Sequence, residues 1–189
     1  MRWPFNHFRN PRTCPPDTIE TIYGMIVAQA RDPLFYSHLG IPDTVDGRFD
    51  LLVLHLWIVL RRLRQGNGGK ERAQALFDRF CEDMDDNLRE MGVGDLAVPK
   101  RMQAFGEAFY GRAAAYDLAL SIGPGNDNDQ GPLAQAICRN ILDGVGLDNA
   151  RRLAAYAQAT AAGLDRLDDA ALLGASWRFP PPLEEKRPQ

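Results

Sequence analysis

Four carboxylates, Glu82, Asp83, Asp85 and Asp86, crowd a short stretch of this 189-residue chain. They are the residue type that acid–base or di-metal chemistry needs. Three histidines (His7, His38 and His55), a glycine-rich Gly66-x-Gly68-Gly69-Lys70-Glu71 and an Asp127-x-Asp129-x-Gly131 complete the reactive inventory. Each fails on spacing. Di-metal helices project Glu-x-x-His pairs into a bundle core, and the chain has no such pair. The histidines lie in three separate segments without the pairing of a zinc helix. The glycine run lacks the four-residue spacer and hydroxyl of a phosphate loop, and no strand precedes it. A calcium loop would need an Asp or Asn where Gly131 stands and a Glu where Cys138 stands. Cys14, Cys81 and Cys138 are odd in number and far apart, so they indicate neither a disulfide framework nor a thiolate site, and imply a reducing compartment. No catalytic constellation, metal site or cofactor is expected.

What remains is a corner that must be built by two helices. Phe77, Cys81, Met84, Leu88 and Met91 recur at helical spacing and predict one buried face, leaving the carboxylates on a solvated one. Gly92 stands where a left-handed cap is wanted. Gly94 is a second flexible point, and Pro99 suits the first turn of the next helix. That helix should bury Met102, Phe105, Phe109 and Ala113. Around the corner stand Asp86, Asn87, Arg89, Glu90, Asp95, Lys100, Tyr110 and Arg112. Two readings apply to them: internal bracing, with Asp95 capping the Pro99 helix and Arg89 or Arg112 paired to a carboxylate across the corner, or recognition of a partner.

The stretch DMDDNLREMGVGDLAVPKRMQAFGEAFYGR, residues 83–112, resembles the central segment of the ubiquinol–cytochrome c chaperone family. The likeness rests on Asp83, Met84, Asp85, Asn87, Leu88 and Arg89, the Gly92-Val93-Gly94-Asp95 turn, Val98-Pro99-Lys100, Met102, and the run Ala108 to Arg112. It extends more weakly through TIYGMIVAQAR, the PLFY at Pro33 to Tyr36, and the helix from Phe49 to Leu63. The resemblance implies a non-enzymatic assembly chaperone that binds newly made cytochrome b of the bc1 complex. It also implies work near the ribosomal exit tunnel with a small helper protein. Phe35, Tyr36, Phe105, Phe109 and Tyr110 are then candidates to line an apolar groove for a helical client, their other reading being plain core. An enzyme acting on a quinone or a haem precursor is the competing class.

The surrounding chain reads as all-α, a single domain of seven or eight helices. A hydrophobic share of 45% with 25% charged residues suits a soluble globular protein. A net charge of −3 argues against a surface built to grip DNA. The helix from Phe49 to Arg64 is apolar on nearly every face through Leu60 and should be central. At its end, Arg61, Arg62 and Arg64 complement the helix dipole, or else contact RNA or lipid, as Arg151 and Arg152 would in a nucleic-acid-binding module. His55, inside that helix, reads as a hydrogen-bonded core residue. A helix near Asp17, a short one from Pro33 to Gly40, an alanine-rich pair over 132–143 and 148–162, and a last one over 167–173 complete the domain of residues 17–175.

Residues 1–16 interleave Trp3, Phe5 and Phe8 with Arg2, Arg9 and Arg12, reading either as a loose tail or as a peripheral anchor for an anionic inner membrane. Residues 176–189 form a proline-rich tail in which Trp177 and Phe179 are the docking candidates. The longest apolar run, Leu51 to Leu60, falls far short of the roughly 20 residues that span a bilayer. Mitochondrial members of the resembled family carry a targeting segment and an anchor, so the expectation is a bacterial-type, cytoplasmic protein.

Overall fold

The computed structural model describes residues 16–122 and 131–182. Among them are eight helices and no strand. They are α1 (Pro16–Ala30), α2 (Pro33–Leu39), α3 (Val45–Gln65), α4 (Gly69–Glu90), α5 (Val98–Ile122), α6 (Pro132–Ile141), α7 (Leu147–Asp165) and α8 (Asp169–Leu173). The readings of residues 1–15, of most of the loop after α5 and of the last seven residues fall outside the described residues.

The central helix is α3. Every residue from Asp50 to Leu60 is buried, because α1, α4, α5, α6 and α7 all pack against it. It begins four residues earlier than its apolar pattern implies. Thr44 caps it by accepting the Gly47 N–H at 3.1 Å, and Asp46 in the first turn suits the positive end of the helix. Gly47 is required there: a Cβ would stand 2.1 Å from the Pro42 carbonyl oxygen. The short α2 follows its cues closely. Asp32 accepts the Leu34 N–H at 2.9 Å, Pro33 opens the helix, and Gly40 closes it at φ 68°.

Of the arginines ending α3, Arg62 and Arg64 stand in the last turn, as the dipole reading expects, and Arg61 and Arg62 also tie α3 to its neighbours. Arg62 is buried and donates to the Leu164 and Leu167 carbonyls, closing the end of α7, and to Asp169 at 3.1 Å. Arg61 makes a forked pair with Asp165 at 3.0 Å. Arg151 pairs with Asp148, and Arg152 donates to the His38 carbonyl. Arg61 and Arg62 are thereby committed to the fold, whereas Arg64, Arg151 and Arg152 remain exposed.

On α4 the buried residues are Gly69, Ala73, Leu76, Phe77, Phe80, Met84 and Leu88, while Cys81, expected on that face, is only partly buried. Phe80 joins them because α4 is wedged between α1 and α3 on one side and α5 on the other. Met91, expected on the buried face, is 63% exposed, since it follows the last helical residue and the chain is already turning.

Beyond α8 the chain returns across the body. Trp177 is buried and donates its indole N–H to the Leu172 carbonyl at 2.9 Å. Phe179 sets its edge on the His55 ring at 5.2 Å, and Gln29 donates to the Pro180 carbonyl. His55 is a hydrogen-bonded core residue, as its position predicts. Its Nδ1–H donates to the Leu51 carbonyl at 2.8 Å, which leaves Nε2 to accept the Tyr156 hydroxyl at 2.8 Å. Burial holds its pKa down to about 4.

A pH dependence follows. The unfolded chain protonates this histidine near 6.5 while the fold keeps it neutral. The stabilisation is therefore complete above that pH and is lost as pH falls toward 4. Between pH 7 and pH 5 the stability of the parent should fall by about 2 kcal/mol more than that of His55→Gln. Urea unfolding of both proteins across this range checks it, and parallel profiles would contradict it.

Candidate functional site

Where α1, α2 and the start of α3 meet the end of α4 and the start of α5, they leave an open groove of about 350 Å³. Its floor is Leu52 and Phe49, whose ring stacks on Phe105 at 4.9 Å. Val27 and Ala30 of α1 form one wall, and Met84, Leu88 and Met91 form the other. Tyr36 closes one end, its hydroxyl donating to the Ala30 carbonyl at 2.7 Å. Partial burial raises the Tyr36 pKa, with the nearby Arg48 and Arg31 charges opposing. Val45 and Met91 are large apolar side chains left 66% and 63% exposed at the rim. Arg31, Asp46, Arg48, Asp83, Asn87 and Arg101 supply its polar part.

The corner between α4 and α5 borders this groove through Leu88 and Met91. The Val93 N–H reaches the Leu88 carbonyl at 3.0 Å and the Gly92 N–H the Arg89 carbonyl at 2.9 Å, the paired bonds of a Schellman stop. Gly92 takes φ 78°, as its place in the sequence predicts. Gly94 does not adopt a left-handed conformation; it starts a turn closed by the Ala97 N–H on its carbonyl at 2.8 Å. That turn runs straight into α5, whose Pro99 lies in the first turn. Hydrogen bonds close the corner at both ends, and at the tip Leu96 stands 99% exposed while Val98 is buried.

The candidate residues divide by where their side chains go. Tyr36, Asn87 and Phe105 line the groove. Asn87 also donates to the Asp83 carbonyl at 2.6 Å. Arg89 braces the corner, with Asp85 and Asp95 each 2.6 Å away, and Asp95 spends its carboxylate on this arginine. Arg112 turns inward and pairs with Asp50 of α3 at 2.6 Å, with its guanidinium over the Phe49 ring. Asp86, Glu90 and Lys100 are exposed and carry no ion pair among the described residues. Phe35 and Phe109 do not line the groove. Phe35 is fully buried against His55 and Tyr156, and Phe109 packs on Phe77 and Phe80. Tyr110 lies on another side of α5, half-exposed beside Phe77. Val45, Leu52, Leu96, Arg31 and Arg101 escaped the sequence reading. Only Leu96 carries a signal there, being a leucine in a turn between Gly94 and Pro99.

Of the four crowded carboxylates of α4, Asp83 and Asp85 are engaged, whereas Glu82 and Asp86 are exposed with no ion pair among the described residues. Asp83 accepts the Tyr23 hydroxyl at 2.8 Å and lies 4.0 Å from Arg79, whose guanidinium sits over the Tyr23 ring and pairs with Glu20. Burial drives the Tyr23 pKa far up. Cys81 is no nucleophile at neutral pH, since burial pushes its thiol up to about 12. Among the described residues no group of three or more His, Cys, Asp or Glu is placed to hold a metal, and no helix is long and apolar enough to cross a membrane.

Comparison with known proteins gives this geometry its context. The chain resembles the solved structure of the Cbp3 homolog from Brucella abortus with a TM-score of 0.76 and 36% identity, over 88% of this chain and 90% of that one. It is 30% identical over 162 residues to the ubiquinol-cytochrome-c reductase complex assembly factor 1 of Xenopus laevis, covering 82% of this chain and 76% of that protein. Identity to the human protein of the same name is also 30%, and to protein CBP3, mitochondrial, of Saccharomyces cerevisiae 29%. Of those two relatives the match spans only 51% and 44% of the length. The model of the ubiquinol-cytochrome C chaperone family matches residues 37–179, which take in α3 to α8 and all of the corner. The chain belongs to the ubiquinol–cytochrome c chaperone family.

Proposed function

We propose that this protein is an assembly chaperone of the ubiquinol–cytochrome c reductase complex and that its groove receives an apolar helical segment of newly made cytochrome b. The observation that supports the reading is the groove itself: an open apolar trough whose rim keeps Val45 and Met91 exposed, beside a rigid corner that presents Leu96. Apolar side chains that line one continuous open trough form the kind of patch that marks an interaction site. A helix laid into such a trough is held by side chains at its i, i+3, i+4 and i+7 positions. A chaperone must also let go, and an open trough with a polar rim allows release more readily than an enclosed pocket. The site of action in this proposal is the cytoplasmic face of the membrane that holds the client, with ribosome and helper contacts made by other surfaces.

The double variant Val45→Asp with Met91→Asp tests it. Both side chains point outward, so the melting temperature should stay near that of the parent. In cells lacking the native gene, the variant should fail to restore the bc1 haem absorbance and should recover little pulse-labelled cytochrome b when pulled down. Full restoration and normal recovery would overturn the proposal.

A further inference from the structure

The groove is apolar along its length, and its rim carries charged side chains of both signs, two of its arginines without an ion-pair partner among the described residues. Arg31, in the turn just after α1, and Arg101, in the early part of α5, line it from separate segments. Neither makes an ion pair or hydrogen bond to a carboxylate among the described residues, whereas Arg61, Arg62, Arg79, Arg89 and Arg112 all do. Arg48 is the third cation of the rim and is held by Asp43 at 2.7 Å. Two carboxylates line the same space, and neither is ion-paired to Arg31 or Arg101. Asp83 is taken by the Tyr23 hydroxyl and the Arg79 charge. Asp46 sits in the first turn of α3, where the exposed N–H groups of the helix favour a negative side chain.

Resting on the reading of the groove as the client site, we infer that it selects apolar helical segments carrying a carboxylate at or near the end of their apolar stripe, with Arg31 and Arg101 taking that carboxylate. A guanidinium offers a planar fork of N–H donors that matches a carboxylate. Next to an apolar trough the pair is shielded on one side from water, so it discriminates better than a pair on an open surface. The free cations also make a segment ending in Lys or Arg an unfavourable occupant, which is selectivity by repulsion.

Three helical peptides with one apolar stripe, differing only by Glu, Gln or Lys at its end, are titrated by fluorescence anisotropy against the parent, Arg31→Glu with Arg101→Glu, and Val45→Asp with Met91→Asp. The Glu peptide should bind the parent about tenfold more tightly than the Lys peptide, with the advantage shrinking as salt rises. The charge-reversed protein should prefer the Lys peptide. Equal binding of all three peptides to the parent, with binding lost in the Val45 and Met91 variant, would overturn the charge selection and leave the groove reading standing. Binding that the Val45 and Met91 variant does not weaken would overturn both. Phosphatidylglycerol vesicles provide one further arm. If they, and not the Glu peptide, are captured in a manner that Arg31→Glu with Arg101→Glu abolishes, the cations serve a lipid and the peptide assignment fails.

Discussion

Arg112→Ala is expected to destabilise the protein by about 2–4 kcal/mol at neutral pH. For a chain of this size that corresponds to a fall in Tm of roughly 5–12 °C. The reason is the partner left behind. Asp50 sits in the first third of α3, mostly buried, with the Arg112 guanidinium 2.6 Å from its Oδ1. Burial already pushes the Asp50 carboxyl up to about 6 against the pull of that guanidinium. Without Arg112 it would move higher still.

The sign of the pH effect is fixed by this. A carboxyl whose pKa is higher in the fold than in the unfolded chain contributes its stabilisation in the protonated form. That contribution is complete below the unfolded value of 3.8 and is lost as pH rises through the folded value near 6. The deficit of Arg112→Ala should therefore be smallest near pH 5 and grow toward pH 7.5. Adding Asp50→Asn removes the stranded charge and should restore part of the loss at the higher pH. Urea unfolding of the two variants and the parent at both pH values checks this. A deficit that is the same at both, with no relief from Asp50→Asn, would contradict it. An Arg112→Ala protein of unchanged stability that no longer recovers client would instead assign the residue to recognition.

The second large effect is expected at the turn between α3 and α4. In Gly69→Ala the new Cβ would lie 2.2 Å from the Leu63 carbonyl oxygen and 3.0 Å from the Arg64 carbonyl group. Both are backbone, at the end of a helix that Arg62 ties to α7 and α8, so they have little room to yield. The turn is also closed on itself by Gly66 N–H on Leu63 and Gly69 N–H on Gly66. A loss of about 3 kcal/mol or more is expected. Gly24→Ala provides the contrast. It lies within α1 with nothing within 4 Å of a Cβ, and alanine there should stabilise by up to about 1 kcal/mol through helix propensity. Thermal melts of the two proteins should move in opposite directions, and an unchanged Tm for Gly69→Ala would refute the close-packing argument.

What could be read from the chain alone was whatever is written in neighbouring positions. Asp32-Pro33 and Gly40 bracket α2 because a cap, a proline and a left-handed residue act within one turn. Gly92 and Pro99 bracket the corner for the same reason, and the unbroken apolar run after Asp50 marks α3 as central. His55 was legible too, since a histidine on a helix buried all round must find partners within reach. What was not legible depends on residues far apart in sequence. Periodicity places Phe35 and Tyr36 side by side but does not say which one enters the core. Only the arrival of α7, with Tyr156 against Phe35, decides it. Arg62 looks like an ordinary end-of-helix cation until Leu164 and Asp169 come to meet it. Arg112 finds its carboxylate on α3 and not across the corner. Of the five aromatics expected to line a groove only Tyr36 and Phe105 do so, because the groove is a gap between five helices and a gap has no residues of its own.

The return of the chain over His55 has a bearing on the order in which the molecule is put together. The walls of the groove come from residues 27 to 105, whereas the other flank of α3 is closed by partners about a hundred positions away, Tyr156 on His55 and Asp165 on Arg61. Gln29 waits for Pro180, 151 positions later. Contacts between nearby segments form early and distant ones late. During synthesis, which runs from the amino end, the groove side should therefore take shape while the far flank of α3 is still bare. The same division should persist in the finished protein as two opening units, with α7 and the Trp177–Phe179 return able to lift away while the groove stays closed to exchange.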